Sequence, residues 1–275
     1  MALAVVDRVP ARLLLVVGSV VGRLAHLVLR GSRARARAVA ERVFDPFAAK
    51  RIVGSCFRRA GENLAVTLLL RRASTRALDW VEVDEATERT LGSVSGALAI
   101  SAHLGAFELI PAVVTELGFS ASVVVRESYD PLLDPIVDLH RRMRGIEVIH
   151  RGRPHAALRS VRALREGRLL GILPDLGGRV PSTTADFLGA KRLLPSGPAR
   201  LAARAGAPML LVVLEAGESR RFRLRAEIID ISKQGEHVTQ CVTCWIETAI
   251  LRTPEDWLWM AAPREIADSF ASSVS

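Results

Sequence analysis

The sequence predicts an α/β fold in which a mixed, largely parallel central sheet is covered by helices. Two observations carry the prediction. From residue 96 to about residue 215, short apolar runs that read as buried strands alternate with longer segments of helical character, with glycine or proline at most junctions. Beyond them, Phe222 to Asp230 alternates in the manner of a half-buried strand and is expected to return antiparallel beside its predecessor, which makes the sheet mixed.

In order, the alternating region predicts a strand at Ala97 to Ile100 and a helix from Ala106 to Glu116 stopped by Gly118. A strand at Ala121 to Val125 follows, then a helix from Pro131 to Arg144 ending at Gly145, a strand at Ile146 to Ile149, and a helix from Pro154 to Glu166 ending at Gly167. Leu169 to Leu173 reads as a strand and the stretch up to Pro195 as a loop. Pro198 to Ala205 is then a helix and Met209 to Leu214 a strand. A last helix is expected from His237 to Leu251.

Upstream, Asp45-Pro46 opens a helix that runs to about Arg72, with Ile52, Val53, Cys56, Phe57, Leu64 and Leu68 at near-helical spacing. Gly31 to Arg37 reads as a basic connector. Leu13 to Val21 is apolar, but Arg23 and His26 interrupt it well short of the roughly 20 residues that span a bilayer. It reads as an amphipathic or partly inserted anchor whose arginines snorkel toward an anionic leaflet. A cleaved signal peptide fits the same pattern. The organisation is then a membrane-associated helical segment at 1–45 and a single catalytic domain at 46–275.

The chain of 275 residues, 49% hydrophobic, has length enough for one large core. A net charge of +9, nearly all of it from arginine, favours anionic partners: acidic membrane, phosphorylated lipid or an acidic carrier protein. With 5% aromatic residues and no stacking platform or nucleic-acid motif, nucleic acid ranks low and is not expected as a partner. Cys241 and Cys244 form a C-x-x-C inside a helical pattern, without a second pair at zinc spacing, and with Cys56 they read as unpaired thiols. The histidines at 140, 150, 155 and 237 show no metal-ligand spacing, and no metal site is expected.

The candidate chemistry sits after the first core strand. His103 falls at a strand-to-helix turn, and Glu108 five residues on could face it once Gly105 turns the chain. Neutral imidazole would take a proton from a hydroxyl while the carboxylate holds the ring in one tautomer. By spacing alone a surface pair is the commoner arrangement, but the carboxyl end of a buried strand is where open α/β sheets bind ligands. Arg126, Arg151 and Asp175 stand at three further strand ends. Arg126 could clamp an acceptor phosphate or carboxylate or stabilise an oxyanion, or form an ion pair with Glu127 or Asp130. Arg151 could bind an anionic head group. Asp175 could orient an acceptor hydroxyl, hold Arg126, or cap the next turn. Gly177-Gly178 offers backbone N–H groups or a simple turn, and Ser101, two residues before His103, is a disfavoured nucleophile.

His103-Leu104-Gly105-Ala106-Phe107-Glu108 resembles the His-x4-Asp/Glu motif of the glycerolipid acyltransferases, in the form found in the late lipid A acyltransferases and the related phosphatidylinositol mannoside acyltransferases. Further segments follow in that family's order. Val123-Val124-Val125-Arg126 and Gly171-Ile172-Leu173-Pro174-Asp175 resemble its strands ending in Arg and Asp, and Asp186-Phe187-Leu188-Gly189 its Phe-Phe-Gly loop. Trp245-Ile246-Glu247 resembles its Ile-Glu helix, and Pro254-Glu255-Asp256-Trp257-Leu258-Trp259 its Pro-Glu-Gln-Trp-x-Trp close. Ala106-Phe107 replaces the usual Asn-Trp, Leu176 the Gln after the Asp, and Met260 to Arg264 the usual His-Arg-Arg; the His-x4-Glu pair stays.

The resemblance implies a glycerolipid-acyltransferase-like fold and transfer of a fatty acyl group (EC 2.3.1.-) from acyl carrier protein or coenzyme A thioester to a hydroxyl of a glycolipid or lysolipid such as a lipid A precursor. It implies His103 and Glu108 as the general-base dyad, with Arg126, Asp175 and Arg151 placing substrate, and no metal or redox cofactor. It also implies retention at the cytoplasmic face of the bacterial inner membrane. A phosphatidylinositol mannoside acyltransferase, a thioesterase or lipid hydrolase using the same dyad, and a non-catalytic lipid-binding protein are the alternatives.

Overall fold

The computed structural model describes residues 8–72, 74–126, 134–176, 180–229 and 238–263. Among these, seven strands form one sheet: β1 (Val81–Val83), β2 (Ala97–Ile100), β3 (Ala121–Val125), β4 (Glu147–His150), β5 (Leu169–Ile172), β8 (Met209–Ala216) and β9 (Phe222–Ile229), in the order β1-β9-β8-β2-β5-β3-β4. The block β8-β2-β5-β3-β4 is parallel throughout, and β9 returns antiparallel to β8 as the alternation of its residues predicts. The sheet is therefore mixed and largely parallel, with nine helices around it among the described residues.

The central strands are apolar along their whole length because both faces are covered. Leu98 and Ile100 of β2 join Met209, Leu211 and Val213 of β8 in one core, while Ala97 and Ala99 join Leu210, Val212 and Leu214 in the other. On the second face lie α4 (Glu85–Gly92) and α5 (Leu109–Glu116), through Leu91, Leu109 and Val113. The first face holds α7 (Ala156–Arg165), α8 (Gly197–Ala205) and α9 (Val238–Arg252), together with the C-terminal tryptophans Trp257 and Trp259. Helix α6 (Asp134–Met143) connects β3 to β4.

Three helices precede the sheet: α1 (Ala11–Val28), α2 (Arg30–Ala40) and α3 (Pro46–Leu69). Asp45 caps α3, accepting hydrogen bonds from the backbone N–H groups of Phe47 at 2.9 Å and Ala48 at 3.0 Å, with Pro46 in the first turn. The basic stretch expected to be a connector is helical in α2. Alanine and arginine are strong helix formers, and Ala36 and Ala40 are buried while Arg30, Arg35 and Arg37 remain outside.

Two other expectations change. The stretch read as a loop up to Pro195 contains an antiparallel hairpin, β6 (Ser182–Phe187) and β7 (Ala190–Pro195), outside the main sheet. Its turn is Leu188-Gly189, both at positive φ (52° and 69°), a conformation suited to the tight two-residue hairpin. The polar run Ser182-Thr183-Thr184 hides this strand in the sequence, since Thr183 and Thr184 face solvent. The motif helix begins at Leu109 instead of Ala106, so His103 to Glu108 is a turn, with Gly105 at φ 61°. Residues 131–133 of the expected 131–144 helix, Gly177-Gly178, Asp230 and His237 lie outside the described residues.

Candidate active site

The parallel register of β2 and β5 builds the site. Ile100 pairs with Ile172, and His103 and Asp175 each stand three residues beyond that pair, so two strand ends deliver an imidazole and a carboxylate to one point. The His103 ring Nδ1 lies 2.8 Å from Asp175 Oδ1, and the His103 backbone N–H donates to Asp175 Oδ2 at 2.8 Å. The same Oδ2 accepts the indole N–H of Trp257 at 2.8 Å. Asp175 is fully enclosed, whereas the His103 side chain keeps about a quarter of its surface. With Nδ1 engaged by a carboxylate, the ring carries its proton there and Nε2 is the nitrogen available to accept another.

Burial disfavours the charged form of both groups, and their pairing outweighs it in each. For His103, burial lowers the pKa, but the charge and hydrogen bond of Asp175 raise it more, helped by the charge of Glu108 and opposed by Arg126, so the imidazole is held above its ordinary value. For Asp175, burial pushes upward, while the His103 charge and the hydrogen bonds from His103 and Trp257 hold the carboxyl below the usual range.

Glu108, which the sequence reading pairs with His103, sits at the N-cap of α5 and is held by a different residue. Arg141 on α6 grips it in a fork, Nη2 to Oε1 at 2.6 Å and Nε to Oε2 at 3.2 Å. Arg141 Nη1 also donates to Asp138 at 3.1 Å, and the other Asp138 oxygen lies 2.8 Å from His150 Nε2. The direct partner of the His103 ring is thus Asp175, 72 residues away in sequence, and Glu108 acts on the ring through its charge. The reason is geometric: the turn through Gly105 carries Glu108 toward α6, while strand pairing puts Asp175 beside the ring.

Arg126 and Arg151 end adjacent strands. Val125 pairs with His150, and the Arg151 backbone N–H donates to the Val125 carbonyl at 2.8 Å, so the two arginines follow each other in register at the same end of the sheet as His103. Arg126 is exposed and close enough for its charge to act on His103. Ser101 is buried, and its hydroxyl finds no hydrogen-bond partner among the described residues, His103 included.

The sequence reading gave Trp257 no role of its own. Its side chain is fully buried, packed edge-on against Phe187 of β6 at 5.9 Å and against Trp259 at 5.0 Å. The segment around it braces the motif turn: Leu104 bridges Trp257, and the Gly105 N–H donates to the Asp256 carbonyl at 2.9 Å. Arg59 of α3 holds the Asp256 carboxylate through both oxygens at 3.0 and 3.1 Å, and the Cys56 thiol donates to the Trp257 carbonyl at 2.9 Å. Burial pushes that thiol up to about 12, so Cys56 is a packing residue. The available signal was that a buried tryptophan N–H needs an acceptor, and Asp175 closes an apolar strand. A small, mainly apolar pocket lies beside Asp175, lined by Pro174, Phe187, Leu194, Val242 and Ile246 among others.

Among the described residues no group of three or more histidine, cysteine or acidic side chains could hold a metal ion. The family model for bacterial lipid A biosynthesis acyltransferases matches residues 1–262 of the 275. A search of the curated proteins finds no match.

Proposed function

Because the chain belongs to the bacterial lipid A biosynthesis acyltransferase family, and so is an acyltransferase by descent, we propose that it moves a fatty acyl group from an acyl thioester to a hydroxyl of a membrane lipid, with His103 as the base. The observation that carries this reading is the hydrogen bond from the His103 ring to a buried carboxylate that a tryptophan also holds. In the proposed reaction Nε2 of His103 takes the acceptor hydroxyl proton as the oxygen attacks the thioester carbonyl carbon. Asp175 keeps the ring oriented and balances the imidazolium, and Arg126 with nearby backbone N–H groups stabilises the oxyanion. Collapse of the tetrahedral intermediate breaks the C–S bond, and the departing thiolate takes the proton from Nε2. No cofactor enters this sequence.

General-base action of this kind contributes about 3 to 5 kcal/mol, from a 10²–10⁴-fold effect, and placement of the acceptor about 7 kcal/mol or more where orientation is near ideal. Arg151 beside Arg126 suits an acceptor bearing phosphate or carboxylate. Glu108 is assigned a supporting role, its charge favouring the imidazolium and its pairing with Arg141 fixing the motif turn against α6. We assign the donor to acyl carrier protein or coenzyme A, the acceptor to a lipid A precursor or a related glycolipid, and the location to the cytoplasmic face of the inner membrane. Trp257 is a positioning residue, acting on His103 through Asp175.

The test is product analysis. Wild-type protein given an acyl thioester and acceptor lipid is expected to yield acylated lipid and free thiol, and His103→Ala is expected to lose at least about a hundredfold in rate. Free fatty acid formed with acceptor present would instead identify a hydrolase, and an unchanged rate in His103→Ala would remove the base.

A further inference from the structure

We infer that α1 lies in the plane of the membrane, with one face in a single leaflet, and does not cross the bilayer. This rests on the membrane-associated reading above and settles how the helix meets lipid. The helix, longer than the apolar run in the sequence suggests, is long and apolar enough to cross a bilayer by length and composition, its 18 residues reaching about 27 Å against a hydrocarbon core of about 30 Å, so the choice rests on its faces and its packing.

Its two faces are unlike. Leu13, Val16, Val17, Val20, Leu24 and Val28 are 45 to 74% exposed. At about 100° per residue these residues, with the equally exposed Val21 and Leu27, occupy an arc of roughly 140°. Arg12 and Arg23 fall at one edge of that arc, where guanidinium groups can reach head groups while the aliphatic face enters acyl chains. Gly18 and Gly22 are on the opposite side and buried.

That opposite side is clasped to α3. A Cβ on Gly18 or Gly61 would collide with the other residue's carbonyl oxygen, and one on Gly22 would collide with the carbonyl of Phe57 and approach Arg58 Cα at 2.9 Å. The helices therefore meet backbone to backbone, and the turn of α3 against the middle of α1 carries an ion triad in which Glu62 bonds both Arg58 and Arg221. If α1 spanned the bilayer in this packing, the triad would lie near the hydrocarbon midplane, where charged side chains are strongly disfavoured. With α1 in the plane, the triad stays on the protein side. The exposed Arg30 and Arg35 of the next helix and the net charge of +9 make the complementary surface anionic lipid.

The experiment uses the full chain with Cys241→Ser and Cys244→Ser, and single cysteines introduced by Ala11→Cys and Leu29→Cys at the two ends of α1. Both are labelled with an impermeant maleimide in spheroplasts and in sealed inverted vesicles. Reaction of both ends from one and the same side is expected. Reaction from opposite sides overturns the in-plane arrangement while leaving membrane attachment intact, and a chain found wholly in the soluble fraction overturns both. In parallel, Val16→Glu/Val20→Glu is expected to reduce flotation with phosphatidylglycerol vesicles by about tenfold or more at unchanged circular dichroism. Flotation equal to wild type would show that this face does not enter lipid.

Discussion

Replacing Trp257 by phenylalanine tests the site most sharply, because it removes the indole N–H while keeping a smaller aromatic ring in the core. The indole N–H donates at 2.8 Å to an Asp175 oxygen that is fully enclosed, so no water replaces it. A hydrogen bond to a charged group contributes about 1.5 to 3 kcal/mol, and a loss of stability of that order is expected in thermal or denaturant unfolding. The effect on catalysis has a definite sign. Asp175 deprived of this donor is less neutralised and stabilises the His103 imidazolium more strongly, so the ring pKa rises further above its ordinary value. The assay is kcat/KM for thiol release from an acyl thioester with acceptor lipid present, measured from about pH 5 to pH 9, where the acidic limb reports the base. The limb should move to higher pH in Trp257→Phe. A protein that melts earlier but keeps the wild-type limb would show that Trp257 only fills space, and the coupling proposed here would be wrong.

Other outcomes follow from the same geometry. Asp175→Asn should move the limb the opposite way, to lower pH, while lowering the maximal rate, as the ring loses the charge that balances it; equal profiles in a pH titration of rate would refute the pairing. Since the folded pKa of His103 is raised, the stability its pairing supplies is full below the ordinary value near 6.5 and is lost as pH climbs through the folded value. Activity should therefore rise over the window in which that part of the melting temperature falls, and His103→Gln should flatten the stability trend. Glu108→Gln leaves Arg141 with a weakened partner in a mostly buried site, and a stability loss of up to about 3 kcal/mol is expected with a smaller shift of the acidic limb than Asp175→Asn gives. Gly61→Ala must push α1 off α3, at a cost of about 1 to 3 kcal/mol by denaturant unfolding.

The sheet was legible because each central strand is a compact apolar run next to a glycine, and burial on two faces leaves that mark in the residues themselves. The return of β9 was legible for the complementary reason: Arg223 and Arg225 alternate with buried Phe222, Leu224 and Ala226 along a strand that is covered more fully on one side. The hairpin β6–β7 was not, because Thr183 and Thr184 carry no apolar signal and its pairing depends on a turn with Leu188 in a left-handed conformation, which leucine seldom adopts. At the candidate site, local sequence singles out His103 but points five residues away for the ring's hydrogen-bond partner, which is Asp175. Asp175 reaches it through the register of β2 on β5, and spacing along one segment contains no information about that register. Trp257 comes from a third segment, joined only when α3 and the C-terminal turn pack together.

Helix α3 touches α1 through Gly61 and Phe57 and the segment behind the His103 ring through Cys56 and Arg59, all within six residues. With α1 on a leaflet as inferred above, one stiff rod would set the altitude of the imidazole above the head groups. A chain-bearing alcohol anchored in the leaflet would meet the base at a depth fixed by the scaffold, and substrates whose hydroxyl projects too far or too little would be sorted by reach before any side chain read their chemistry.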